Sequence, residues 1–182
     1  MKIFPFYKQP DTMDCGPTCL RMVAKHYKRT ISLEKIRRLS DTTRSGSSLK
    51  NIADAAEKIG FKTLGVKINF KSLAEEAPLP CIVFWNENHF IVVHKIKNNK
   101  VYVADPAHGL LTYAKQEFID NWIGKHANET TEEGIVLLLE PTVKLKEKEE
   151  DDVAHKKGIG FLMQYLFGYK RFLYQLGLGL FS

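Results

Sequence analysis

The hydrophobic pattern of this chain changes period once, near Gly60, and that change restricts the fold more than any other feature of the sequence. Upstream, apolar residues recur at helical spacing. Cys19, Leu20, Val23 and Tyr27 form one stripe, in a helix expected from Asp14 or Cys15 to about Lys28; Pro17 falls in its first turn, where a missing N–H is tolerated. Leu33, Ile36 and Leu39 form a second stripe behind a Ser32 cap. Leu49, Ile52, Ala56 and Ile59 form a third behind Ser47 or Ser48, ended by Gly60. Downstream, FKTLGVKI (61–68), LPCIVFW (79–85), HFIVVHKI (89–96), KVYVAD (100–105) and GIVLLLE (134–140) read as strands. Two short helices are expected among them, one over 71–77 before Pro78 and one carrying Phe118, Ile119 and Trp122. Helices first and strands later specify an α+β fold, a helical half packed on a mainly antiparallel sheet half.

The 182 residues hold one ordinary domain with a remainder, and 44% hydrophobic residues suffice for a core without disulfides. The net charge of +6 is spread out, with no basic block interleaved with aromatics, so nothing points to a nucleic-acid partner. Three cysteines, at 15, 19 and 81, are an odd number and do not suggest a disulfide framework; MKIFPFYKQPD is too short and broken for a secretory signal. A reducing, cytosolic setting is expected for the first 140 residues.

Residues 1–141 form the expected folded domain. Residues 142–157, TVKLKEKEEDDVAHKK, carry five lysines and five acids and read as a solvated linker. In 158–182, Phe161, Leu162, Tyr165, Leu166 and Tyr169 suit one face of an amphipathic helix. Lys170, Arg171 and eleven uncharged residues follow. Eleven is well short of the roughly 20 needed to span a bilayer, so the expectation is a lead-in helix and the truncated start of a first transmembrane helix, Lys170 and Arg171 cytoplasmic. The other reading is an amphipathic helix packed on the domain or on a partner.

The chemistry concentrates in QPDTMDCGPTCLRMVAKHY, 9–27. Cys15 opens the first helix, where unpaired N–H groups and the positive dipole end favour a thiolate. Gly16 is expected to keep the approach to the sulfur open. A thiolate that attacks a carbonyl also needs a base and an oriented donor for the oxyanion. Gln9 is a candidate donor; Asp11 and Asp14 are not, because an ionised carboxylate only accepts hydrogen bonds. His89, at the start of a strand, is the best candidate base, and Asp105, at the end of the next, can fix its tautomer. His108 is a weaker alternative base, and His94 is expected on the opposite face.

Strand parity bears on this set. A strict two-residue turn at Asn98-Asn99 makes Lys97 face Lys100 and puts His89 and Asp105 on opposite faces. A three-residue turn or one bulge puts both on one face with Ile91, Val93, Val101 and Val103. The catalytic reading therefore predicts an odd-length turn, with Asn98 or Asn99 left-handed. The bland reading makes each cysteine a small buried residue, and it is the expectation for Cys19 and Cys81. Zinc on Cys15, Cys19 and His26 is a further alternative, weakened because three ligands would come from one continuous helix.

QPDTMDCGPTCLRMVAKHY, NHFIVVHKI and VYVADP together resemble the N-terminal cysteine peptidase domain of bacteriocin-processing ABC transporters, over about residues 4–140. The resemblance implies a papain-like fold with Cys15 as nucleophile, His89 as general base and acid, Asp105 orienting His89, and Gln9 in the oxyanion hole. It implies a precursor peptide whose leader is cut after a double-glycine motif, at the cytoplasmic face of the bacterial inner membrane, before export. Two residues without side chains can thread a narrow cleft, and an apolar leader helix can dock in a groove. The implied partners are the transmembrane and ATPase domains of the same transporter. No cofactor is implied for this chain, ATP belonging to the ATPase domain. The rival reading is a catalytically silent docking module, against which the presence of both Cys15 and His89 argues.

Overall fold

The computed structural model describes residues 3–43, 46–123 and 133–146. In chain order the elements are α1 (Cys15–His26), α2 (Leu33–Leu39), α3 (Leu49–Lys58), β1 (Phe61–Ile68), α4 (Phe70–Glu75), β2 (Cys81–Trp85), β3 (His89–Lys97), β4 (Lys100–Asp105), β5 (Gly109–Ala114), α5 (Lys115–Trp122) and β6 (Gly134–Pro141). The strands form one antiparallel sheet in the order β1-β6-β2-β3-β4-β5. The α+β class expected from the change of period is the observed one.

Strand alternation divides the core in two. Ile82, Phe90, Val92, Ala104, Leu137 and Leu139 pack with α1, α2 and α3 through Cys19, Leu20, Val23, Ile36 and Ile52. From the other face Val83, Trp85, Ile91, Val93, Val103 and Val136 pack with Leu73 of α4 and with Phe118 and Trp122 of α5. The helix starts follow local chemistry. Ser32 accepts from the Lys35 N–H at 3.2 Å and Ser48 from the Asn51 N–H at 3.1 Å, each satisfying an orphan donor of the first turn. Gly16 has a packing reason to be small: a Cβ there would lie 2.5 Å from Ile52 Cδ1, so α1 and α3 approach closely at this point.

Three features depart from the sequence reading. GLLTYA, 109–114, is a sixth strand, paired along its length with β4. As an edge strand it turns only Leu111 and Tyr113 toward the core while Leu110 stays exposed, so its alternation is weak. The domain also runs past residue 141. Val143–Lys146 form a 3-10 turn, Leu145 is buried in the core, and Arg29 Nη1 donates to the Leu145 carbonyl at 3.0 Å. Gly60 has φ +104°, and a Cβ there would sit 2.4 Å from the Leu145 backbone nitrogen, so glycine both ends α3 and makes room for this returning segment. One compact unit of the chain runs from Met1 to Glu147. The rest of the expected linker, the expected lead-in helix and the expected start of a membrane helix fall outside the described residues; among those described, no helix is long and apolar enough to cross a membrane.

The third departure is the β3–β4 turn. It has two residues, Asn98 and Asn99, with Lys97 opposite Lys100, not the odd number expected. Both asparagines are left-handed, φ 51° and 58°, as a tight hairpin of this twist requires. Parity is restored by a bulge: Val93 pairs with Val103 but Lys95 with Tyr102, so His94 is an extra residue in β3.

His94 stacks on Phe4, ring centroids 4.5 Å apart, and His26 lies 5.3 Å from the same ring. This pins the N-terminal segment to α1 and the sheet. Burial, with the nearby charges of His26 and Lys95, lowers the His94 pKa from 6.5 to about 4. The fold favours neutral imidazole, so this contribution to stability is full above pH 6.5 and is lost as pH falls through about 4. Melting temperature is expected to fall across that interval, and less steeply in a His94→Gln variant.

Candidate active site

The site lies where the helical half meets the end of the sheet. α1 packs on one face, and its N-terminus reaches the start of β3, where the Cys19 thiol donates to the Phe90 carbonyl at 3.2 Å. Beyond the bulge, the register of Val92 with Ala104 and Val93 with Val103 sets Asp105 across from Ile91, two residues from His89 on the same face. The bulge at His94 thus does what the sequence reading asked of an odd turn.

Asp105 is 3% exposed and accepts from both sides. Its Oδ1 is 2.8 Å from His89 Nε2 and accepts the Ala107 N–H at 2.8 Å; its Oδ2 is 2.8 Å from His108 Nδ1. Burial disfavours its charge, but hydrogen bonds from His89, His108 and the Ala107 N–H outweigh that and hold its pKa at about 2. An ionised carboxylate only accepts, so both imidazole nitrogens facing it carry the proton. That leaves His89 Nδ1 free of the carboxylate, and the ring shares the groove with the Cys15 thiol, near enough for the thiol to act on its proton affinity. Burial disfavours the imidazolium, yet the bond to Asp105 and the Cys15 thiol nearby prevail and raise the His89 pKa to about 9.

The other two thiols are held apart from this arrangement. Cys19 and Cys81 are fully buried. Burial pushes both pKa values up, that of Cys81 to about 12 and that of Cys19 well above its ordinary value, with the charges of Cys15 and Asp105 adding to the effect at Cys19. Among the described residues no group of three His, Cys, Asp or Glu is placed to hold a metal ion; Cys19, one of the three ligands of the zinc alternative, has its thiol committed to the Phe90 carbonyl.

Gln9 reaches the same place by a backbone tie: its N–H donates to the carbonyl of Pro106, the residue after Asp105, at 2.9 Å. Its side-chain Oε1 is buried with no hydrogen-bond partner among the described residues. Gln9, Cys15, His89 and Asp105 share one groove of about 1450 Å³, together with Met13, Leu49, Phe84, Trp85, His108 and Tyr113.

One residue with a large local role escaped the sequence reading. Asp14, 2% exposed, forms a two-pronged ion pair with Arg37 of α2, Nε to Oδ1 at 2.6 Å and Nη2 to Oδ2, and its Oδ2 accepts the Asp11 N–H at 3.2 Å. The pair clamps the loop between Gln9 and Cys15 against the second helix. The partners are 23 residues apart, and no local signal joins them. Arg37→Ala leaves a buried carboxylate without its partner and is expected to cost about 2 kcal/mol, less than a fully buried pair because Arg37 is partly exposed. Urea unfolding measures it.

A thiol and an imidazole sharing one groove between a helical and a sheet half, with the imidazole held by a buried carboxylate, define a papain-like cysteine peptidase architecture. The chain belongs to the Peptidase C39 family, whose model matches residues 3–134. It is 35% identical over 121 residues to the lactococcin-G-processing and transport ATP-binding protein LagD of Lactococcus lactis subsp. lactis, covering 64% of this chain and 17% of that protein. It is 31% identical over 113 residues to the colicin V secretion/processing ATP-binding protein CvaB of Escherichia coli, covering 62% of this chain and 16% of that protein. The chain therefore corresponds to a small part of these curated relatives. Among solved structures it resembles a double glycine motif protease from an AMS/PCAT transporter in complex with the leader peptide, with TM-score 0.68, 32% identity, 76% of this chain and 91% of that one covered. It also resembles the peptidase domain of Streptococcus ComA, a bi-functional ABC transporter of a quorum sensing pathway, with TM-score 0.67, 29% identity, and 77% and 100% covered.

Proposed function

We propose that this chain is a thiol endopeptidase that cuts the leader from a precursor peptide after a double-glycine motif, at the cytoplasmic face of the bacterial inner membrane, as part of an exporting ABC transporter. The observation that carries this reading is the Cys15 thiol beside the His89 ring in one groove, with that ring held by the buried Asp105 carboxylate at 2.8 Å. The double-glycine protease with its bound leader, similar over most of its length, supports the choice of substrate.

In this mechanism the Cys15 thiolate, paired with the His89 imidazolium, attacks the carbonyl carbon of the second glycine. The C–O π electrons move to oxygen, and Gln9 together with a backbone N–H near Cys15 receives the oxyanion. The C–N bond breaks as His89 gives its proton to the leaving amine, releasing the cargo peptide. Neutral His89 then takes a proton from water, which attacks the thioester and frees the leader and the thiolate. Asp105 keeps the ring oriented throughout. No step needs a cofactor; ATP is assigned to a separate ATPase domain of the transporter.

The test is incubation of the chain with candidate precursors, reading the cut site by mass spectrometry. A cut directly after Gly-Gly, lost when either glycine is replaced by leucine, supports the proposal. Leader binding without cleavage under reducing conditions would instead establish the silent docking module.

A further inference from the structure

The carboxylate that holds His89 also holds a second imidazole. His108 is 71% exposed at the groove, yet its Nδ1 lies 2.8 Å from Asp105 Oδ2. The other carboxylate oxygen already receives three donors: His89 Nε2, the Ala107 N–H and, at 3.3 Å, the His108 N–H. Asp105 is 3% exposed, so a donor for Oδ2 has to come largely from the protein, and among the described residues the ring of His108 supplies it. The carboxylate torsion is soft and roughly two-fold, so donors on one oxygen alone hold its plane less firmly than donors on both.

We infer that His108 is a positioning residue whose Nδ1–H, bonded to Asp105 Oδ2, holds the carboxylate plane so that Oδ1 stays directed at His89 Nε2. This rests on the catalytic reading of Cys15, His89 and Asp105. His108 acts through Asp105, with no contact to the thiol required. The titratable groups that face Asp105 and His89 are Cys15 and Cys19 of α1, His108 itself and Tyr113 of β5. None of the others replaces the bond to Oδ2.

The test compares His108→Ala with His108→Asn in the intact chain, using a double-glycine precursor. Asparagine places an amide N–H where Nδ1 stands, without the ring. His108→Ala is expected to lower kcat about tenfold with little change in KM, the size of one hydrogen bond to a charged group. It is also expected to move the alkaline limb of kcat/KM, set by His89, to lower pH. His108→Asn is expected to recover both. The inference is overturned if His108→Ala matches the parent in kcat and limb, if the limb moves upward, or if asparagine is as poor as alanine. Cys15→Ala run alongside separates the two levels: cleavage that survives in that variant sinks the catalytic reading itself, whatever His108 does.

Discussion

Cys15→Ala is expected to lower cleavage of a double-glycine precursor by at least about 10⁴-fold while the precursor still binds. The change removes one sulfur atom at the groove and leaves the walls in place. Without it no acyl-enzyme forms, and the remaining groups can only orient water. His89→Ala should be of similar size, because the thiol and its base act as a unit, and the double variant should be little worse than either single one. Mass spectrometry of a timed digest measures the cut, and fluorescence anisotropy of a labelled leader measures binding. Cleavage by Cys15→Ala at a tenth of the parental rate would exclude the thiol as nucleophile.

The second large effect concerns Asp105. In the proposed mechanism His89 must be protonated to release the leaving amine; its bond to Asp105 and the Cys15 thiol nearby, against the opposing effect of burial, raise its pKa to about 9. Activity is therefore expected to hold through neutral pH and to fall as pH rises through about 9, where His89 loses that proton. Asp105→Asn removes the largest source of this stabilisation and leaves the burial, which acts in the opposite sense. The alkaline limb should move down toward the ordinary histidine value of 6.5, and kcat/KM at pH 8 should fall on the order of 10²-fold. A pH profile of kcat/KM for the two forms decides it. An unchanged limb in Asp105→Asn would show that the carboxylate does not govern the proton on His89.

How much of this was legible beforehand differs from residue to residue. Helix boundaries at Ser32, at Gly60 and, to within Ser47 or Ser48, at the start of α3 are readable because a cap or a stop is a short-range event, made by a side chain and a backbone group three or four residues apart. Cys15 was readable as the first residue of a helix for the same reason. The parity relation between His89 and Asp105 was readable only as a condition. The turn came out even, and the bulge at His94 supplied the missing residue. Nothing in HFIVVHKI marks where a bulge will fall, since its position is set by how the strand meets Phe4, β2 and β4 together. β5 was missed because an edge strand with two inward side chains carries little alternation. Leu145 reads as linker in the sequence because its neighbours are charged, and only the space left by Gly60 shows why it turns back into the core.

By itself the sequence determined the class of fold, the place of the thiol at a helix start and a short set of candidate groups to act with it. These depend on periodicity and on residue chemistry, which are local. Only the tertiary structure decided that Asp14 is clamped by Arg37, that Gln9 is tied to Pro106, and that one carboxylate serves both His89 and His108. Those contacts join residues through strand register and helix packing, and such distances are settled by the close packing of the whole core rather than by any stretch of chain.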